Sequence, residues 1–434
     1  MKKFFLVAAG LLLSLAAALP LAIGLGLEQA VNRLLSELTR VDALALAASR
    51  YERGYASSQL DLEFKPLLNG VPQPLSLRVR FKHGPMLAGP QLQLGLLGLN
   101  AELTATPTAQ LNVATDEALY QLEGLINVWG AGSFTDRYNP LSLALQQGRG
   151  QWGRGEGRGR VNWQAQRVDY EGHLSQLSWQ SPELSVNLAD INIAKQASLT
   201  ADGAQWFSRL AFKALNAQLQ NQQYWLQRGA LGISRAGSAS LATPERWQMS
   251  LVAEDFKAKH LQLTSLDANF ALDQVPGAWL LPFAGLLFSA APPEVFAAQA
   301  HALTQQYLKA PAGLLVERFG AVQEGKTFWL SGRVELGTLA ALPLEAWGAN
   351  EAVLGQLAGS GEVHLDKSLL PLWAKAYLDN SSNGQTLSPA QIEVLAKAFV
   401  AQGMLTEAGE HYRTQVAFKA GEITLNDKPV VLPF

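Results

Sequence analysis

Residues 75–82 read LSLRVRFK, and this strict alternation of apolar with polar or charged side chains predicts a β-strand. Side chains two residues apart share one face of a strand, so the apolar residues from Leu75 to Phe81 would be buried while their neighbours meet solvent. The preceding stretch, Leu60–Lys65, repeats the pattern. Two such runs close together indicate an antiparallel sheet with one solvated face.

The same alternation recurs along the chain, with Gly, Pro, Asn and Asp between the runs, as turns require. The further runs are Leu92–Leu94, Leu141–Leu145, Val161–Trp163, Leu184–Leu188, Ile191–Ile193, Trp247–Leu251, Leu261–Leu263 and Phe270–Leu272. We therefore expect residues 51–273 to form a β-rich body, a large and curved antiparallel sheet. A helical interruption is expected around Asp116–Val128.

The remaining residues, 274–434, mix both periods and predict an α+β portion that completes the sheet. Strands are expected at Phe328–Leu336, Gly361–Leu365, His411–Phe418 and Glu422–Leu425, and helices at Pro293–Lys309, Lys367–Leu378 and Pro389–Gln402. Ser388 before Pro389 is a typical helix start, and Gly403 a typical end. The predicted fold class is thus strand-rich α+β, with helices inserted in the C-terminal third.

Residues Val275–Ala291 carry no charge and are rich in aromatic and aliphatic side chains. A second membrane span is one interpretation, but three prolines interrupt the run and it is short for a bilayer of about 30 Å. A buried or interfacial segment is favoured. Its candidates for contact with a lipid or a partner are Trp279, Leu280, Phe283 and Phe288.

The N-terminus begins with Met1, Lys2 and Lys3, and Phe4–Leu27 then contains no charged residue. As a helix this stretch would be roughly 36 Å long, enough to cross a bilayer. Residues 1–27 are therefore expected to form a cytoplasmic head and a transmembrane anchor, although a cleaved signal peptide is the alternative. Residues 28–50, apolar at three- and four-residue spacing, predict a stalk helix.

Composition excludes several classes of chemistry. The 34 Lys and Arg nearly balance the 36 Asp and Glu, so no nucleic-acid partner is expected. The chain contains no Cys, which rules out disulfides, thiolate metal sites and Cys nucleophiles. The six histidines are not spaced for metal binding, and hydrolase and phosphate-loop motifs are missing. No catalytic residue, metal site or cofactor is predicted.

The Gly/Arg run Gly148–Arg160 has two interpretations. It could bind single-stranded nucleic acid or, in an exported protein, lipid phosphates. The favoured alternative is a pair of glycine-rich strands that let backbones approach closely.

Three short motifs resemble those of the YdgA-like proteins of Gram-negative bacteria. They are Tyr51-x-Arg53-Gly54-x-x-Ser57-Ser58, His83-Gly84-Pro85, and a terminal segment from Gly421 to Asn426. The resemblance implies an inner-membrane protein with one span, a cytoplasmic N-terminus and a periplasmic body. Asp427 departs from the family, which usually has Gly there, so the type of the terminal turn stays open.

The motifs are expected to be structural first, since Gly54 and Gly84 permit unusual backbone angles and Pro85 restricts a turn. Arg53 could pair a buried carboxylate, which is favoured, or hold a phosphate.

We expect a non-enzymatic protein whose sheet offers an apolar groove to membrane lipid or to a protein partner. The alternative is an assembly module that forms a homo-oligomer or docks an envelope complex.

Overall fold

The computed structural model describes most of the chain, and all structural statements below concern these residues. They are 20, 23–29, 31–32, 35, 46–68, 71–84, 86–87, 93–94, 97–113, 118–127, 129–145, 148–200, 203–219, 222–237, 244–258, 261–287, 293–308, 312–336, 339–340, 342–343, 357–371, 388–419 and 422–430. Of them, 69% lie in strands and 16% in helices, and 23 strands belong to one hydrogen-bonded antiparallel sheet.

The chain divides into two compact units, and β17 (Gly203–Leu219) contributes residues to both. Unit 1 comprises Met1–Ser198 and Phe212–Asn221. Its other strands are β1 (Leu46–Arg53), β2 (Ser57–Phe64), β3 (Leu67–Leu68), β4 (Val71–Pro72), β5 (Leu75–His83), β6 (Met86–Leu87), β7 (Gln93–Leu94), β8 (Leu97–Ala105), β9 (Leu111–Val113), β10 (Tyr120–Ile126), β11 (Ala131–Tyr138), β12 (Leu141–Leu145), β13 (Gly148–Trp152), β14 (Gly155–Asn162), β15 (Arg167–Gln180) and β16 (Leu184–Thr200), the last two residues of which belong to unit 2.

In unit 1 the strands pair in the order β1-β2-β5-β8-β10-β11-β14-β15-β16. A side branch, β9-β12-β13, joins the second half of β15. The two-residue pairs β3–β4 and β6–β7 form separate small hairpins. Every pairing is antiparallel, as the alternating sequence runs require.

The first core of unit 1 shows why residues 75–82 become a strand. Val79 pairs with Leu60 on one side and Ala101 on the other, and all three are at most 9% exposed. Residues between them, such as Arg78 and Arg80, face solvent. Val31 of the N-terminal helical segment (residues 20, 23–29, 31–32 and 35) is buried against this cluster. The alternation therefore buries one face, and part of the N-terminal chain covers it.

Unit 2 comprises Leu199–Ala211 and Gln222–Phe434. Its strands are β18 (Gln222–Gly237), β19 (Pro244–Ala258), β20 (Leu261–Pro276), β21 (Gly313–Gln323), β22 (Lys326–Glu335), β23 (Ala358–Asp366), β24 (Thr406–Ala408), β25 (His411–Lys419), β26 (Glu422–Leu425) and β27 (Lys428–Val430). Its helices are α1 (Gly277–Leu287), α2 (Pro293–Tyr307) and α3 (Pro389–Ala401), with a 3₁₀ turn at Lys367–Leu369. The strands pair antiparallel in the order β18-β19-β20-β21-β22-β23-β25-β26-β27, and β24 pairs with β25.

The core of unit 2 lies where the helices meet the sheet. Trp247 on β19 and Trp279 on α1 are buried together with Leu308 and Val275, and each indole N–H is satisfied. Trp247 Nε1 donates to the Val275 carbonyl at 3.2 Å, and Trp279 Nε1 donates to Thr304 Oγ1 at 3.2 Å. Buried tryptophans need such partners because an unpaired buried donor is costly.

The expected α+β fold with a transmembrane helix is wrong: the described chain is mostly one antiparallel sheet with few helices. None of the helices in the described part is long and apolar enough to cross a membrane. Pro20, Gly24 and Val31 are buried because the end of the predicted span, and the start of the predicted stalk, pack on unit 1. Phe4–Leu19 lies outside the described residues.

Two further expectations are corrected. The predicted stalk helix, residues 28–50, gives way to a strand that begins at Leu46. Within the helical interruption expected around Asp116–Val128, Tyr120–Ile126 instead form strand β10, which is paired on both sides. Beyond the 3₁₀ turn, most of the predicted helix Lys367–Leu378 lies outside the described residues.

Several local predictions are confirmed. Helix α3 begins at Pro389 after Ser388, whose side chain accepts from the Gln391 N–H while the Gln391 side chain accepts from the Ser388 N–H. Gly403 adopts a φ of 74° just past the helix end. The runs predicted as two short strands around Leu188 and Ile191 form one long strand, β16.

Candidate functional site

The first family motif forms the hairpin between β1 and β2. Gly54 N–H donates to the Ser57 carbonyl at 2.7 Å, which closes the turn. A Cβ at Gly54 would lie 2.8 Å from that same oxygen, so a larger residue would disrupt the turn. The motif glycine is thus required by a close backbone approach.

The hairpin brings Ser58 beside His83, the first residue of the second motif. Ser58 Oγ and His83 Nε2 share a hydrogen bond of 2.8 Å, and the residues are 4% and 2% exposed. The His83 backbone N–H donates to the Ala56 carbonyl at 2.9 Å. Burial lowers the pKa of His83, and the backbone of Tyr55 and Pro20 opposes this only in part. The folded protein therefore favours the neutral imidazole.

The N-terminal helical segment covers this pair. A Cβ at Gly24 would lie 3.1 Å from His83 Cε1, and one at Gly84 would lie 3.1 Å from Pro20 Cγ. Gly84 also has a φ of 135°, which side-chain-bearing residues rarely adopt. Glycines at these two positions allow helix and sheet to touch.

An ion pair formed by Arg53 links β1 to the same helical segment. Its Nη1 donates to Glu28 Oε2 at 2.7 Å, and both side chains are about one-third exposed. The observed partner is thus a carboxylate, as favoured from the sequence, but Glu28 is 39% exposed and not buried as expected. A half-exposed pair of this kind contributes roughly 0–1 kcal/mol, so its main effect is orientation.

The Ser58–His83 pair differs from a catalytic serine and histidine in its burial, since Ser58 is only 4% exposed. A catalytic serine needs an accessible hydroxyl and a histidine oriented by a third group. In the described part of the chain, His83 Nδ1 and Tyr51 Oη are buried without a hydrogen-bond partner. No cluster of three potential metal ligands occurs among the described residues either.

We use the name N-terminal clamp for Tyr51, Arg53, Ser58 and His83 together with the helical segment that covers them. Pro85 of the second motif lies outside the described residues.

The terminal motif is a second structural hub. Asn426 and Asp427 have φ of 47° and 62°, so they form the tight turn between β26 and β27 with both angles positive. Asn426 Oδ1 accepts from the Gln415 N–H at 2.8 Å, and Nδ2 donates to the Gly403 and Met404 carbonyls. Asn426 thereby joins the end of α3 to two strands. Gly421 lies outside the described residues.

The Gly/Arg run forms β13 and β14, in agreement with the favoured interpretation. On β14 the glycines face the interior, and the arginines between them face solvent. Arg158 pairs with Glu171 at 3.0 Å across the strands.

Three tyrosines converge on the buried Asp136 above these glycines, a cluster that sequence reasoning missed. Tyr138 Oη donates to the Asp136 carboxylate at 2.9 Å, Tyr170 at 3.2 Å and Tyr120 at 3.4 Å. Burial raises the pKa of all three phenols, and the carboxylate adds to the effect. A Cβ at Gly157 would lie 2.3 Å from Tyr170 Oη. The sequence did contain a signal for this cluster. Glycines occur at alternate positions at the start of β14, and such glycines leave room for aromatic side chains that recur on a neighbouring strand.

The predicted contact segment is partly core. Trp279 is 6% exposed and stacks on Phe283 with ring centroids 4.6 Å apart. Leu280 and Phe283 are half-buried against the same cluster. Their contact with a lipid or partner stays a prediction, and Phe288 lies outside the described residues.

Unit 2 also presents an apolar face that crosses eight strands. In one row, Ile233, Met249, Phe270 and Val316 pair directly from β18 to β21, and Val416 and Leu425 continue it on β25 and β26. The parallel row on β18–β22 consists of Leu231, Leu251, Ala268, Phe319 and Leu330. We call these two rows the unit-2 apolar face.

The unit-2 apolar face is incompletely covered. Leu231 is 43% exposed, and Leu251 is half-buried. Between Val316 and Val416 the row passes through the directly paired Gly332 and Gly361, which carry no side chain. The three heavy atoms nearest to a Cβ at either glycine belong to backbone. The face therefore contains a shallow gap at two strands, β22 and β23, and Val316 and Val416 on its two sides lie three strand spacings, or roughly 14 Å, apart.

Comparison of the sequence with known proteins identifies a family and no individual relative. No curated protein and no solved structure matches the chain. A family model described as bacterial protein of unknown function (DUF945) matches residues 1–433. The chain therefore belongs to the DUF945 family of bacterial proteins of unknown function.

Proposed function

We propose that the protein is non-enzymatic and binds lipid, with the unit-2 apolar face receiving acyl chains. The observation that carries the proposal is the pair of directly registered apolar rows, half-buried and partly exposed, on strands β18–β26. Eight strands at about 4.8 Å spacing give a row of roughly 34 Å, longer than a typical acyl chain. Within the two rows Leu231 is exposed, while Ala268 is buried and Ile233 and Met249 pack on the unit-2 core. Apolar surface left open on a sheet in this way marks an interaction site when it is extensive.

The two faces of this sheet differ sharply in polarity, which supports an apolar ligand. On the opposite face of β19, Ser250 lies between Met249 and Leu251 and pairs with Asn269 on β20, while Val252 pairs with Asp267. An acyl chain on the apolar face would replace water on side chains that now meet it, at about 25 cal/mol per Å² buried. The motif resemblance suggests the periplasmic side of the inner membrane as the place where this occurs.

A matched pair of variants tests the proposal. Leu251 and Val252 are adjacent on β19 but point to opposite faces, and Val252 is 45% exposed. In Leu251→Glu a carboxylate would have to be desolvated by the acyl chain, so co-purified lipid should fall at least about tenfold. Val252→Glu should retain the lipid of the unmodified protein. The measurement is mass spectrometry of lipid extracted from each purified full-length protein.

A specific observation favours the alternative of an assembly module. Helix α3 exposes three large apolar side chains, Val394 (65%), Leu395 (45%) and Phe399 (37%). Equal lipid content in Leu251→Glu and Val252→Glu, or no lipid in the unmodified protein, would contradict lipid binding. Stable oligomers in the same preparations would then favour assembly.

A further inference from the structure

The strand registers of unit 1 place three hairpin turns at one end of its sheet. His83 pairs with Leu97, Leu97 with Ile126, and Ile126 with Gly132. The register continues from Ala131 through Asn162 to Arg167, and on the other side Ser58 pairs with Phe81. The turns after β1, β10 and β14 therefore project from the same end, which we call the hairpin-tip edge.

Each of these three turns carries one exposed aromatic residue. Tyr55 is 57% exposed after β1, Trp129 is 76% exposed after β10, and Trp163 is 71% exposed after β14. Across the described chain, the only other large hydrophobic side chain more than half exposed is Val394 in unit 2. The concentration of three such residues at one edge of one unit marks an interaction surface.

The two tryptophan turns are firmly built, so the exposure is a property of the fold. Asn127 Oδ1 accepts from the N–H groups of Trp129 (2.9 Å) and Ala131 (3.0 Å). Trp163 N–H donates to the Gly130 carbonyl at 2.9 Å, which links the two turns to each other. Gly130 has a φ of 76°, as this turn requires. The backbone thus presents both indoles outward.

Two features identify the partner as a lipid bilayer surface. Trp and Tyr are the residues that concentrate at membrane–water interfaces, where an apolar ring and a polar group are both accommodated. The second feature is where the N-terminal chain enters the structure. Pro20 lies against Gly84, directly after β5, at this same edge, and the sixteen residues before it, 4–19, contain no charge.

We infer that the hairpin-tip edge rests on the bilayer interface, with Tyr55, Trp129 and Trp163 among the lipid headgroups. At about 4.8 Å per strand, the three tips span roughly 29 Å along the edge. This inference concerns unit 1 and does not depend on acyl-chain binding by unit 2.

Bromine quenching of tryptophan emission tests the contact. The full-length protein is reconstituted in vesicles of phosphatidylcholine whose acyl chains carry bromine close to the headgroup. The protein has 11 tryptophans, and Trp129→Phe/Trp163→Phe should remove most of the emission that bromine quenches. The control is Trp329→Phe, since Trp329 is half-buried and stacks on His364 at 3.8 Å. That variant should keep the quenchable emission.

Quenching that is the same in the double variant as in the unmodified protein would overturn the inference. Crosslinked dimers that disappear in the double variant, together with no bromine quenching, would assign the edge to a second copy of the chain. Because Leu251→Glu acts on unit 2, bromine quenching at the tips should persist in that variant. The failure of one proposal is therefore separable from the failure of the other.

Discussion

At the scale of single residues, His83 makes the stability of the N-terminal clamp depend on pH. Its pKa in the folded state lies below the ordinary value of 6.5 because the ring is buried under Pro20 and Gly24. The unfolded chain then binds the proton more readily, so stability rises with pH across this range. The free energy of unfolding should fall as pH is lowered through about 6.5 and level off below the folded-state pKa.

Denaturant unfolding of the full chain between pH ~7.5 and ~5 measures this dependence. In His83→Gln the slope over that range should be reduced, although the variant will be less stable throughout. His173→Gln is the control, because that ring is 44% exposed and pairs with Asp190 at the surface. An unchanged slope in His83→Gln would show that His83 does not carry the effect.

Residue identities at turns and caps were predictable where one local rule decides. The start of α3 after Ser388 and its end before Gly403 were predicted correctly, because helix capping depends on residues that are neighbours in the sequence. Asp427 was uncertain, and the structure gives it a positive φ because Asn426 is held in place by three partners. The role of Asp136 was not predicted, because its tyrosine partners lie on three different strands and only the glycine spacing hinted at the cluster.

At the scale of elements, strand β14 depends on having no side chain at Gly157. A Cβ there would lie 2.3 Å from Tyr170 Oη and 2.4 Å from Asp136 Oδ1. Gly157→Ala should therefore lower the free energy of unfolding by about 1–3 kcal/mol through overpacking. The control is Arg158→Ala, next on the same strand but facing solvent, for which a change within about 0.5 kcal/mol is expected.

Equilibrium denaturation of both variants checks this prediction. Addition of Tyr170→Phe to Gly157→Ala should restore part of the loss, because it removes the hydroxyl that the new methyl group meets. Equal stability of Gly157→Ala and Arg158→Ala would contradict the tight contact.

Element type was predictable where one periodicity stood alone, as in Leu75–His83. The error at Tyr120–Ile126 has a physical reason: its apolar residues fit helical spacing and also alternate as in a strand. Pairing with β8 on one side and β11 on the other decides between them. Such long-range pairing overrides local preference and is not visible in one segment.

At the scale of the whole molecule, the two units have separate cores and should unfold in separable steps. Leu62 is 3% exposed in the core of unit 1, and Leu308 is fully buried in that of unit 2. Each truncation to Ala should cost about 2–5 kcal/mol, yet shift only the transition of its own unit. Scanning calorimetry of the two variants and the unmodified chain measures this. A single transition lowered equally by both variants would show one cooperative unit.

The N-terminal region shows why hydropathy alone misjudged the architecture. An apolar run indicates that its side chains are buried away from water. They can be buried equally well against a protein sheet or in a lipid bilayer. Pro20 and Gly24 pack on the clamp because Gly84 and His83 offer a matching surface more than fifty residues away. That complementarity is a property of the folded sheet.

The glycines of β14 that lie against the tyrosine cluster also constrain how the sequence can change during evolution. Tyr170 fits because Gly157 is bare, and a Cβ at Gly172 would likewise lie 2.6 Å from the same hydroxyl. Replacement of either glycine by alanine would be tolerated only after Tyr170 had been replaced by a smaller residue. In the opposite order, the intermediate protein would be destabilised. Substitutions at residues 157, 170 and 172 should therefore be inherited as correlated sets across the DUF945 family.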